Sequence, residues 1–168
     1  MLNRLLSAAP FETALALLAV ALATIAGAWT FQSLGYLPCD LCLEQRNAFY
    51  AGIPLAAAVA VAARLGAPAS AVKIGLALLA LIFAANCVLS VYHTGVEFKW
   101  WQGPTACTGS AMSGPANVTD LLAAIDKVKV VRCDEVSLRI FGLSLANWDV
   151  LICAALSGLA ARAALKRA

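Results

Sequence analysis

The chain has 168 residues, 62% of them hydrophobic and only 12% charged, with a mean hydropathy of +0.85 and a formal net charge of +3. A soluble domain carries about 25% charged residues, so this balance excludes an ordinary water-soluble globule and points to one integral membrane domain spanning residues 1–168. The 12 Lys and Arg residues make no stripe outside the chain ends and loops, which leaves nucleic acid without support as a partner and membrane lipids as the expected surroundings.

A bilayer core of about 30 Å needs about 20 apolar residues at a rise of about 1.5 Å each. The first predicted span covers residues 11–29 or so. Arg4, the apolar run and the triplet Ala26-Gly27-Ala28 would also suit a cleaved secretory signal, but the run has the length of a full span. The second span is predicted at about residues 43–63, with Gly52 and Pro54 inside it; lipid-embedded helices tolerate both, and Pro54 predicts a kink. The third is predicted at about residues 72–92 and the fourth at about 148–165, leaving loops of about residues 30–42 and 93–147 on one face. Within the long loop Val118, Leu121, Leu122, Ile125 and Val128 recur at helical spacing, with Asp120, Asp126, Lys127 and Lys129 on other faces, predicting a short amphipathic helix on the membrane surface. The expected fold is therefore an all-α membrane protein: a four-transmembrane-helix bundle with a long extracytoplasmic loop carrying a short amphipathic surface helix.

Charge orients the bundle. Arg4, Arg64, Lys73, Arg162, Lys166 and Arg167 flank the spans closely on one side. The other side holds Arg46, Lys99, Lys127, Lys129, Arg132 and Arg139, mostly in the long loop, where positive charge reports orientation poorly. Both termini are therefore expected in the cytoplasm. Trp29, Phe31, Tyr36, Tyr92, Trp100, Trp101 and Trp148 gather near the opposite face, as an interfacial aromatic belt does.

In this frame Cys39, Cys42, Cys107 and Cys133 face the oxidising side, whereas Cys87 and Cys153 fall inside spans and read as small apolar packing groups. Pro38 suits the first turn of a helix, which puts both cysteines of Cys39-Asp40-Leu41-Cys42 where unpaired N–H groups and the helix dipole stabilise a thiolate. Asp40 between them opposes that effect. Arg46 stands one turn beyond Cys42, either supporting an anion there or snorkelling to lipid headgroups. His93 ends the third span near the same level; a lone interfacial histidine is most often simply tolerated. Cys107 and Cys133 are either a movable redox pair or a static disulfide.

Pro38-Cys39-Asp40-Leu41-Cys42 with Arg46, the stretch Tyr92-His93-Thr94, the later loop pair Cys107 and Cys133 and four helices in this order resemble the disulfide bond formation protein B (DsbB) family over nearly the whole chain. The resemblance implies a bacterial inner-membrane oxidase whose redox cysteines face the periplasm. It implies disulfides Cys39–Cys42 and Cys107–Cys133, a transient Cys39–Cys133 bond, and a DsbA-like periplasmic thiol oxidase as partner. It further implies a quinone acceptor, ubiquinone favoured over menaquinone, contacted by Cys42 as thiolate and by Arg46; His93, from its position at the same level, is a further candidate contact. A vitamin K epoxide reductase-like protein would place the loop cysteines before the CxxC, the reverse of this order. A structural zinc site would need two closely spaced ligand pairs, and Cys107 and Cys133 are far apart, so no metal is expected. A bundle merely stapled by disulfides is the remaining alternative.

Overall fold

The computed structural model describes residues 10–104 and 132–166. Among these, four helices are long and apolar enough to cross a membrane: α1 (Pro10–Ser33), α2 (Asp40–Arg64), α3 (Ala69–Glu97) and α4 (Leu145–Leu165). A two-stranded antiparallel hairpin, β1 (Arg139–Ile140) and β2 (Leu143–Ser144), leads into α4. Each helix runs a few residues beyond the span expected for it, because helical hydrogen bonding continues past the hydrocarbon edge into polar flanks that an apolar-run count omits. Cys107 and the amphipathic segment expected around Val118–Val128 lie outside the described residues.

Apolar residues line every face of these helices, so burial is decided by which stripe meets a neighbour rather than by amphipathicity. The stripes repeat at three and four residues. Ala14, Leu17, Ala21 and Ile25 on α1 meet Phe49, Ala56, Val59 and Ala60 on α2, with Leu76, Leu79, Ala80 and Phe83 on α3 and Cys153, Leu156 and Ala160 on α4 completing one core. Leu22, Val61, Leu81, Val88 and Leu151 stay exposed, as residues facing acyl chains do. Lipid gives helices no hydrophobic reason to associate, so close packing through small residues must hold them. Gly52 illustrates this: a Cβ there would stand 2.7 Å from the Phe83 ring, which itself packs 5.6 Å from Phe49. α2 continues through Pro54, whose missing N–H falls on an exposed face.

Helix α3 packs most extensively against α4, α1 against α2 and α2 against α3, closing the bundle in chain order. The α2–α3 connection is short, with Gly66 at φ +74 and Ala67 N–H donating back to Ala62 O at 2.9 Å. At the opposite face Trp101 folds over Gly95, stacks on Tyr92 at 6.0 Å, and donates its indole N–H to Tyr92 O at 2.8 Å. The hairpin turns at Phe141 and Gly142, both with positive φ, as a two-residue turn requires. Ser144 then caps α4 by accepting the Asn147 N–H and donates its hydroxyl to Glu97 at the end of α3. That contact fixes the start of α4 beside the end of α3 and frames the site.

Candidate functional site

The first turn of α2 differs from the expectation in one respect. Pro38 is not the first helical residue; Cys39 occupies the N-cap with extended backbone, and the helix begins at Asp40. The Cys39 sulfur takes the acceptor position that Ser or Asp usually fills, receiving the Cys42 N–H at 3.3 Å. Both thiols are free, and their sulfurs lie 2.8 Å apart, longer than the about 2.05 Å of a disulfide. Asp40 is exposed, where water screens its pull on the neighbouring sulfurs.

His93 comes from the other side of the bundle. Helix α3 continues past it to Glu97, so His93 is not a tolerated interfacial residue: it is 2% exposed, with Nε2 3.6 Å from the Cys39 sulfur. The hydrogen bond between the Cys42 and Cys39 sulfurs outweighs the opposing effect of burial, and the hydrogen bond and charge of His93 add to it. Together they pull Cys39 from the ordinary 9.0 to about 5. This favours thiolate character at Cys39 in the reduced pair. The ligand atoms of Cys39, Cys42 and His93 lie within 4.8 Å of one another, a spacing that a soft metal ion accepts. A closed zinc site takes four ligands, and among the described residues this group offers three.

Cys133 is 1% exposed and held in a disulfide. It packs in one small buried cluster with Cys39, Leu41 and Val96, against which Cys42, Leu89 and Tyr92 lie. A residue 91 positions beyond Cys42 in sequence is thus brought into the neighbourhood of the helix-start pair. The adjoining Arg132 pairs with Asp134 at 2.8 Å, holding that carboxyl below its usual range.

Beside the dithiol lies a largely apolar cavity of about 350 Å³, lined by Cys39, Cys42, Gln45, Arg46, Phe49 and His93, with Glu97, Trp148, Asp149 and Ile152 opposite. Its size falls within the range of small-molecule sites. Arg46 reaches this cavity, but its guanidinium donates to Gln32 Oε1 on α1 at 2.7 Å. Among the described residues, two buried polar atoms on the wall have no hydrogen-bond partner: Gln45 Nε2 and His93 Nδ1. Orphaned polar atoms in an apolar wall are costly unless a ligand satisfies them.

Gln45, Glu97 and Asp149 were not anticipated as site residues. The signal available was spacing: Cys42, Gln45 and Phe49 follow one helical stripe on α2, and Phe83, Asn86, Ser90 and His93 follow one on α3. Cys87 and Cys153, expected as small apolar packing groups, also make polar contacts. Cys153 accepts from Asn86 Nδ2 at 3.2 Å and donates to Asp149 Oδ1 at 3.6 Å, while Cys87 donates to Val150 O at 3.7 Å. The polar partners come from the facing helix or from one turn away, so the apolar runs around each cysteine conceal them.

A family model described as disulfide bond formation protein DsbB matches residues 11–163. No curated protein and no solved structure matches the chain.

Proposed function

The chain belongs to the DsbB family of disulfide bond formation proteins, and from that membership we propose that it reoxidises a periplasmic DsbA-like dithiol oxidase and passes the electrons to a membrane quinone. A thiol-oxidising, disulfide-forming role and four membrane-spanning helices come with the family. The finer reading rests on one observation: the Cys133 disulfide packs in the same buried cluster as the Cys39–Cys42 dithiol, at the wall of an apolar cavity with two orphaned polar atoms.

The partner's thiolate attacks Cys107 of a Cys107–Cys133 disulfide, and the partner leaves oxidised while the loop pair is reduced. The Cys133 thiolate attacks Cys39 of a Cys39–Cys42 disulfide, forming a Cys39–Cys133 bond and releasing Cys42. Cys107 then attacks Cys133, restoring the loop disulfide and expelling Cys39. A low-pKa thiol leaves fastest, so the acidity of Cys39 drives this last step toward a reduced helix-start pair. A quinone, when bound, supplies the two-electron acceptor that side chains lack. The wall suits such a group: Gln45 Nε2 is a free donor, His93 Nδ1 a second polar contact, and Arg46 a cation at the same surface. With both termini cytoplasmic, the cysteine pairs open to the periplasm of a bacterial inner membrane.

The test uses purified protein, a reduced thioredoxin-fold dithiol partner, and ubiquinone or menaquinone followed by absorbance. Quinone reduction is expected with the wild type and is expected to vanish in Cys39→Ser and Cys42→Ser. Undiminished turnover in either variant sinks the relay, and stoichiometric zinc with no response to quinone would favour a metal site instead. Comparing the two quinones checks the preference for ubiquinone.

A further inference from the structure

One turn further into the bilayer from His93, α3 and α4 share a second polar group that the relay leaves unused. Asp149 is 8% exposed and is the single acidic residue of the membrane-spanning helix α4. Its Oδ2 lies 2.6 Å from Ser90 Oγ and 3.2 Å from Asn86 Nδ2, and its Oδ1 takes the Cys153 thiol at 3.6 Å. Ser90 and Asn86 are themselves buried. A carboxyl inside a membrane span is costly and marks function by default. Helix-to-helix adhesion alone would be served by a neutral amide, at about 1 kcal/mol for such a bond.

Hydrogen counting narrows what this carboxyl holds. A serine hydroxyl has one proton to donate. Ser90 Oγ lies 2.8 Å from Asn86 O, a carbonyl that can only accept, and 2.6 Å from Asp149 Oδ2. Both contacts are satisfied together only when Asp149 brings its own proton and donates to Ser90, which donates on to Asn86 O. The carboxyl also lines the same cavity as Cys39, Cys42, His93 and Gln45.

That cavity needs a proton from somewhere. Oxidising the helix-start pair forms the Cys39–Cys42 bond and releases two electrons. With one sulfur of the hydrogen-bonded pair already a thiolate, the pair yields one proton, from the other sulfur. Reducing a quinone to a quinol takes two electrons and two protons, so each turnover lacks one.

We propose that Asp149 supplies this second proton, making the Asp149–Ser90–Asn86 group the proton store of the quinone site. The inference rests on the quinone-reducing function proposed above. Thiolate, thiol, quinone and the protonated Asp149 give disulfide, quinol and the Asp149 carboxylate, with charge and hydrogen balanced; the carboxylate takes a proton back from the aqueous face before the next turnover. The other ionisable groups around it have other work. His93 Nε2 faces the Cys39 sulfur, Glu97 is bound by Ser144 at the outer end, Glu135 pairs with Arg132 at 3.6 Å, Arg46 donates to Gln32, and Cys153 and Cys87 are spent on Asp149 and on Val150 O.

The experiment compares wild type, D149N, D149E and S90A as purified full-length proteins. Infrared spectra taken without quinone are expected to show the carbonyl stretch of a buried protonated carboxyl in the wild type and its loss in D149N. With quinone added, D149N is expected to slow dithiol-driven quinone reduction by on the order of 100-fold at pH 8, with the gap closing as pH falls, at unchanged quinone affinity. D149E should restore the wild-type pH profile. An absent wild-type band, or a D149N rate equal to wild type across the pH range, overturns the proposal. Should D149N fail to fold, S90A decides: the band is expected to move and the pH profile to steepen, and no change in either overturns the proposal. A wild-type protein that reduces no quinone overturns the function proposed above instead, so the two failures are distinct.

Discussion

The acidity of Cys39 can be tested by removing its supports one at a time. In the reduced protein Cys39 is 5% exposed and pulled from 9.0 to about 5, first by the Cys42 thiol and then by His93. At pH 7 Cys39 is then mostly thiolate, whereas an ordinary cysteine is a few per cent ionised. The sign follows from the depressed value. The folded, reduced form gains its full stabilisation above the unfolded value near 9, loses it progressively as pH falls, and has none below about 5. At pH 7 two of the four pH units remain, worth about 3 kcal/mol, which makes the pair more oxidising by about 60 mV. The assay is alkylation of the reduced protein from pH 4 to pH 9, with Cys39 modification read by mass spectrometry. Absolute rate is a poor readout, because a more acidic thiolate is also less nucleophilic; the midpoint is the clean one. A midpoint near 5 is expected in the wild type. Cys42→Ala, which deletes the leading support, should raise it by about 2 pH units, and His93→Ala by about 1. Cys42→Ser keeps a donor and should lie between Cys42→Ala and wild type. A wild-type midpoint at or above pH 8, or a Cys42→Ala midpoint equal to it, would refute the reasoning.

Two further outcomes follow from the packing. Arg46→Ala removes a cation from the cavity wall and its bond to Gln32, and should weaken quinone binding about tenfold while leaving the detergent melting temperature nearly unchanged; equal affinity would return Arg46 to a headgroup-binding role. Cys153→Ala strips a fully buried residue of contacts to Asn86 and Asp149 and should cost about 1 kcal/mol, read as a lowered melting temperature. Cys87→Ala should cost clearly less, and equal losses would contradict the asymmetry between the two.

Much of the architecture was legible before any coordinates. Four apolar runs of spanning length, the Cys39-Asp40-Leu41-Cys42 motif and the later loop cysteines are local or compositional signals, and the match to the DsbB model over residues 11–163 agrees with what they implied. The hairpin at Arg139–Ser144 was not anticipated, although Phe141-Gly142 and the cap at Ser144 carry its chemistry, because two-residue strands leave no periodicity. The role of His93 was underestimated for a different reason: its value lies in which neighbour it meets, and that neighbour is 54 residues away.

The sequence by itself therefore determined that this is a four-helix membrane protein with a helix-start thiol pair, since hydropathy over a span and spacing within one turn are properties of contiguous residues. Only the tertiary structure decided that His93 meets the Cys39 sulfur at 3.6 Å, and that Cys133 shares a buried cluster with Cys39. It alone also showed that Asp149 meets Ser90 at the edge of the same cavity. The physical reason is that lipid-embedded helices are apolar on all sides. No amphipathic stripe announces which faces will meet, and the few polar residues acquire their partners only when the bundle closes.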